Sequence, residues 1–162
     1  MNTFLILSFG FIVGVVFTGS YIFYLMREKM VVSYRSKKDF EETCKAVEDV
    51  VAEFKEEGWG FPIPKWHFWD TFMKKNLKPK NFKNIMVYFV CNASLADKVI
   101  SEDSKMVGIM PCTWAVYQLE DGSVYVAKMN VGLMAKMFSG TIKETMLKVE
   151  DADKRMLEKV LN

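Results

Sequence analysis

The side chains in this 162-residue sequence that suit thiol, imidazole or soft-ligand chemistry are three cysteines, one histidine and twelve methionines. Cys91 and Cys112 are the pair whose positions suggest chemistry. Each falls at the end of an apolar, β-branched run, and thiols at strand termini suit redox exchange, sulfur transfer or soft-metal binding. Asn92 follows Cys91 and, like Ser94, is a residue type that caps a helix, whose N-terminal dipole would lower a thiol pKa at Cys91. His67 has no carboxylate or thiolate at a spacing that would make it a catalytic base or metal ligand, so it reads as the polar tip of an aromatic cluster. Trp66 and Trp69 flank it in Trp59 to Phe72, a stretch expected to pack into the core, with lining an apolar pocket or lying on a bilayer as the other uses of so many aromatic rings. Cys91, Asn92, Cys112, Trp66, His67 and Trp69 are therefore the candidate ligand-binding residues. No residue takes a catalytic or metal-ligating role, and no cofactor is implied. The methionines recur at helical spacing, which favours adaptable core packing over copper binding.

What is missing narrows the chemistry. The chain contains no GxxxxGK[ST], GxGxxG, HExxH or GxSxG, which leaves the common nucleotide, hydride and hydrolase mechanisms without a foothold. Three widely spaced cysteines without a CxxC indicate neither a disulfide framework nor a zinc knuckle and fit a reducing compartment. A net charge of +2 gives no drive toward nucleic acid.

The elements that must position Cys91 and Cys112 lie between Asn81 and Asn130. Met86–Val90, Trp114–Leu119 and Val124–Met129 are strand-like, and Asp121-Gly122 marks a tight turn that makes the last two a hairpin. About twenty residues with a short helix separate the cysteines, the usual content of a right-handed crossover between parallel strands. That arrangement predicts thiols at opposite ends of the sheet, roughly 25 Å apart, and no disulfide. An antiparallel pairing would instead make them neighbours. Cys91-Asn92 closing a strand, Pro111-Cys112 opening the next, and the methionine-rich segment Met129 to Phe138 together resemble the family known as domain of unknown function 302, in an element order running from Val31 to Leu161. The resemblance implies a compact α+β domain, often dimeric, without an established activity or catalytic residues.

The flanks complete the reading. Met30 to Tyr34 is a further strand, and Ser36 with Asp39 offers a capping box for a helix whose apolar stripe is Phe40, Cys44, Val47, Val51 and Phe54. Cys44 is thus expected to be a small buried hydrophobe. Pro62 and Pro64 keep the aromatic stretch extended, Asp70 is expected to cap a short helix through Lys75, and Lys74, Lys75, Lys78, Lys80 and Lys83 form a basic run that suits anionic headgroups or a solvated edge. At the C-terminus Thr141 with Glu144 offers another capping box, and Asp151 is expected to break the helix.

Thr3 to Met26 carries no charge and, at about 1.5 Å per residue, is long enough to span a hydrocarbon core of roughly 30 Å. The apolar run continues through Leu25 without a basic leader, so it is expected to be a retained anchor rather than a cleaved signal. Arg27, Lys29, Arg35, Lys37 and Lys38 follow it, which places the large domain on the cytoplasmic side. Gly10, Gly14 and Thr18 form a small-residue stripe suited to helix packing. The expected organisation is a span and basic segment over residues 1–29 and, over 30–162, a two-layer α+β domain with a mixed, partly antiparallel sheet and helices on one face. Its expected partners are the lipid bilayer and either a second copy or other subunits of a membrane complex. The function this favours is a membrane-anchored, non-catalytic binding or accessory module, or a complex subunit; the alternative is thiol, sulfur-transfer or soft-metal chemistry at Cys91 and Cys112.

Overall fold

Five strands in the order β1-β5-β4-β3-β2 form the frame of the domain in this computed structural model, which describes residues 3–162. The strands are β1 (Val31–Arg35), β2 (Trp59–Gly60), β3 (Phe82–Asn92), β4 (Cys112–Leu119) and β5 (Val124–Met129). All neighbouring pairs are antiparallel. The α+β class therefore stands, while the expected parallel pairing of β3 with β4 is corrected: Val90 lies opposite Cys112 and Tyr88 opposite Trp114. The reason is visible in the connection between them. Helix α4 (Ala93–Glu102) is followed by a 3-10 segment, Ser104–Ile109, that folds back against it, so the chain returns to the end of the sheet it left. A crossover of that length can span a sheet or double back. Here it doubles back.

The hairpin between β4 and β5 forms as expected, with one difference. Only Gly122 has positive φ, at 87°, while Asp121 accepts from the Ser123 backbone N–H at 2.9 Å. The loop is thus longer than a two-residue primed turn, and its single left-handed position falls on the residue that tolerates it.

One sheet face is apolar and covered. Met86, Tyr88, Val90, Trp114, Val116, Val124 and Val126 alternate along their strands and are buried beneath α2 (Phe40–Glu53) and α6 (Gly140–Leu161). Cys44 is 3% exposed within this cluster, as its place on the helical stripe requires. The α2 cap lies one turn later than Ser36: Asp39 Oδ1 accepts from Glu42 N at 2.9 Å and the Glu42 carboxylate accepts from Asp39 N, because Glu42 stands at the third helical position from Asp39. Ser36 instead shares a buried hydrogen bond with Thr43.

Helix α6 runs unbroken through Asp151, whose carboxylate pairs with Arg155 one turn on at 3.2 Å. Its N-cap is Ser139, without a side-chain bond, rather than Thr141. Helix α3 (Phe68–Met73) starts before Asp70, which therefore lies in its first turn and does not cap it; His67 holds the cap position without a side-chain hydrogen bond. A second apolar cluster of Val99, Met106, Val131, Met134, Ile142 and Met146 fills the space between α4, the 3-10 segment, α5 (Val131–Ala135) and α6.

Ahead of the domain, α1 (Thr3–Lys29) includes a segment, Leu7–Lys29, of mean hydropathy 1.8 in which no residue is buried. It is long and apolar enough to cross a membrane. Gly10, Gly14 and Thr18 lie on α1, and a Cβ added at Gly10 or Gly14 would meet nothing within 4 Å. A shallow groove runs along Gly14, Thr18 and Gly19.

Candidate functional site

The second cluster does not close completely. At the end of the sheet where β3 stops and β4 starts, a partly enclosed cavity of about 100 Å³ remains. Its placement follows from local capping. Asn92 is the N-cap of α4, accepting from Leu95 N at 3.1 Å, while its amide donates to Glu57 O at 2.8 Å. One side chain thereby ties the start of α4 to the end of the 3-10 turn Phe54–Glu57 and to β2, where Trp59 pairs with Asn92 and Gly60 with Cys91. The opposite wall is set by Asn130, which accepts from Leu133 N at 2.9 Å as the cap of α5. The same residue holds the end of α1, donating from its side chain to Lys29 O at 3.0 Å and from its backbone to Met30 O at 2.8 Å.

Sulfur is prominent in an otherwise aliphatic lining. Cys91 and Cys112 contribute from the strand ends, and Met106, Met110, Met129, Met134 and Met146 come from five different segments. Among the described residues, Asn92, Thr113 and the indole of Trp59 are the lining groups that carry nitrogen or oxygen on their side chains. Thioether side chains are polarizable and flexible, so such a wall adapts to the shape of an apolar guest.

The thiols are neighbours, which corrects the expected separation. With Val90 directly opposite Cys112, the Cα atoms of Cys91 and Cys112 stand on the order of 6 Å apart. Adjacent residues of a strand face opposite sides of the pleat, so Cys91 and Cys112 are not an opposed pair, and both are free. Burial pushes the Cys112 thiol up to about 12, with the Asp153 carboxylate adding to the effect and Lys128 opposing it. Burial also raises Cys91. The expected lowering by the α4 dipole is overridden: the Asn92 side chain accepts from the Leu95 N–H at the helix start, and desolvation acts on the thiol directly.

Next to Cys112 lies a group of polar residues that the sequence reading missed. Lys128 Nζ stands 2.8 Å from Asp153 Oδ2, with the side chains 5% and 1% exposed. Lys128 is opposite Trp114 in the sheet. Trp114 Nε1 and Asp153 Oδ1 are buried without a hydrogen bond of good geometry. Desolvation raises the Asp153 pKa, and Lys128 counters it. Both residues had a legible signal: Lys128 continues the inward alternation Val124, Val126, and Asp153 falls on the stripe Ile142, Met146, Val149, Met156.

The remaining candidates are elsewhere. Trp66 pairs with Val87 in the middle of β3, Trp66 and His67 are exposed and Trp69 is half-buried. Of the aromatics from Trp59 to Phe72 only Trp59 is buried, which corrects the expected core packing. The two prolines keep this segment extended along the β3 edge, where Lys65 reaches Glu48 of α2 at 2.7 Å, Phe61 lies over the edge of the core against Tyr88, and Trp66 and Phe72 contact Phe68. The lysine run lies at the other end of β3 from the cavity, and Lys78 pairs with Glu120 of the hairpin loop at 3.1 Å. Among the described residues no group of three or more His, Cys, Asp or Glu is arranged to hold a metal ion.

Residues 32–162 match the family described as domain of unknown function DUF302. The chain belongs to that family. Among solved structures it is similar to an uncharacterized conserved DUF302 protein from Bacillus stearothermophilus, with a TM-score of 0.68 and 20% identity over 82% of this chain and 98% of that one. At that identity the likeness establishes the fold. A search of curated proteins finds no match.

Proposed function

We propose that this DUF302 chain is a membrane-anchored, non-catalytic binding module that holds a small apolar ligand in the cavity between Cys91 and Met134. On this reading α1 is the anchor, and the basic residues that follow it keep the domain on the cytoplasmic side. The observation that carries the proposal is the cavity itself. It is partly enclosed and almost wholly apolar, with five methionines in its wall, while burial raises the pKa of both its thiols, which disfavours thiolate chemistry. An apolar void of this order takes up a guest the size of benzene. The test is NMR of the full chain in detergent, labelled at the methionine methyls and titrated with benzene. Shifts at Met106, Met110, Met134 and Met146 with none at the exposed Met73 and Met137 are expected. Unchanged spectra would defeat the proposal. A reporter fused after Asn162 that is active only outside the cytoplasm would overturn the sidedness. Gentle purification separates a bare dimer, expected for a self-contained module, from a set of other subunits, expected for an accessory protein.

The concentration of sulfur favours one second reading, a soft monovalent cation such as Cu(I) held by thioethers with Cys112. Stoichiometric Cu(I) uptake against a competing chelator, weakened by Cys112→Ser, would support it. Uptake unaffected by that change would dismiss it.

A further inference from the structure

We infer that the cavity draws its occupant from the bilayer, taking the apolar end of a membrane-dissolved amphiphile rather than a solute from water. The inference rests on the binding reading above and on the reading of α1 as a span, and it adds the source and class of the ligand.

Chain connectivity is the first support. Lys29 ends α1 and Val31 begins β1, so a membrane-crossing α1 delivers the chain at the Val31 end of the sheet. The pairings Val31 with Met129, Trp114 with Lys128 and Val90 with Cys112 show that this is the end at which the cavity lies. Asn130 fixes the relation, since it holds the carbonyls of Lys29 and Met30 while capping the helix whose Val131 and Met134 wall the cavity. The lysine run and the hairpin occupy the other end of the sheet, on the order of 30 Å away along β3.

The rim is the second support. Met129 and Ile109 line the cavity and are themselves exposed; Val107, two residues before Ile109, and Val31, opposite Met129 in the sheet, also expose apolar side chains. Facing water, this rim would cost free energy. Seated at the boundary of headgroups and acyl chains, it is solvated by lipid, and the cavity mouth then opens where an acyl or prenyl tail is present at high local concentration. The lining offers few polar groups, Asn92, the Trp59 indole and the exposed Thr113, too few to retain a polar headgroup, so the part that enters is the tail.

The experiment uses the full chain in nanodiscs of phosphatidylcholine carrying a diazirine near the end of its acyl chains. After irradiation, cross-linked peptides are mapped by mass spectrometry. The expected result is labelling of the segments around Ile109–Cys112 and Val131–Met134 in addition to α1, with severalfold loss at both segments in Ile109→Asp, a rim change that leaves the core intact. Ala96→Trp, which fills the cavity from α4, should have the same effect while α1 stays labelled. Labelling confined to α1 overturns the inference, as does labelling of the two segments that neither variant reduces. Benzene-induced methionine shifts that persist without acyl labelling would leave the binding module standing and remove the bilayer as its source; loss of both would remove both.

Discussion

Lys128 Nζ and Asp153 Oδ2 meet at 2.8 Å between β5 and α6, with almost no exposure to solvent, one strand residue from the wall of the cavity. Such a pair is costly to desolvate, and removing one partner leaves an unpaired buried charge. Asp153→Ala is expected to lose about 3–5 kcal/mol of unfolding free energy, whereas Lys128→Met with Asp153→Leu should recover most of that loss. Chemical unfolding of the three proteins in the same detergent checks this. A double variant as weak as the single would mean that the pair is needed for packing that an apolar replacement does not supply.

The same carboxylate gives a pH signature. Its pKa is raised on folding by desolvation, so the folded state prefers the protonated form. The contribution is favourable below the usual carboxylate range and is lost as pH rises through the raised value. The Asp153→Asn variant should therefore show a flatter stability profile than the parent across mildly acidic pH. A steeper one would refute the direction.

The buried thiols act at the alkaline end. Burial lifts Cys44 from 9.0 to about 11 and Cys112 from 9.0 to about 12. For a raised pKa the stabilisation is present below the unfolded value and lost as pH climbs through the folded one, so the window is about 9 to 12. Thermal unfolding of Cys112→Ala should fall less between pH 9 and 11 than that of the parent. At pH 7, alkylation of Cys91 and Cys112 should be far slower in the folded protein than in urea, and rapid modification of Cys91 would restore a reactive thiol there.

Much of the fold can be read from local pattern, and the exceptions have physical reasons. The stripe from Phe40 to Phe54 and the alternation from Val124 to Val126 each encode one buried face, and the structure buries those residues. The direction of β4 relative to β3 has no such code, because a helix-containing connection satisfies the length rule whether it crosses the sheet or folds back. The cap of α2 was displaced by one turn because Ser36 and Asp39 are both cap-forming types and only the register of Glu42 decides between them. The cavity was illegible for a different reason. Its wall is assembled from apolar residues, five of them methionines, on segments spread between Trp59 and Val149, whose individual spacing says only that they are apolar.

Asn92 holds three elements at the cavity, so its removal should be felt beyond a cap. Asn92→Ala loses the bond to Leu95 N and orphans Glu57 O, for an expected cost of about 1–3 kcal/mol. Gly58→Ala should cost at least about 1 kcal/mol by a related route, since Gly58 has φ of 89° and its new Cβ would meet Asn92 Nδ2 at 3.1 Å. Unfolding midpoints that stay at the parent value in both variants would show that the α4 start is held by packing alone.

Gly132 gives the sharpest local test of how the cavity wall is built. Helix α5 approaches α6 so closely that a Cβ at Gly132 would lie 2.8 Å from Glu150 Cδ, and Gly132 N donates to Glu150 Oε2 at 3.1 Å. Gly132→Ala therefore forces the Glu150 carboxylate away and breaks that bond, while any gain in helix propensity is small in so short a helix. A loss of about 1–2 kcal/mol is expected. Because the strain lies between two named side chains, it should be conditional. In a Glu150→Ala background the obstacle is gone, and the same glycine change should cost little or become favourable, giving a coupling energy of about 1 kcal/mol in a double-mutant cycle. Equal costs in the two backgrounds would mean that the glycine is required by the backbone of α5 rather than by its contact with α6.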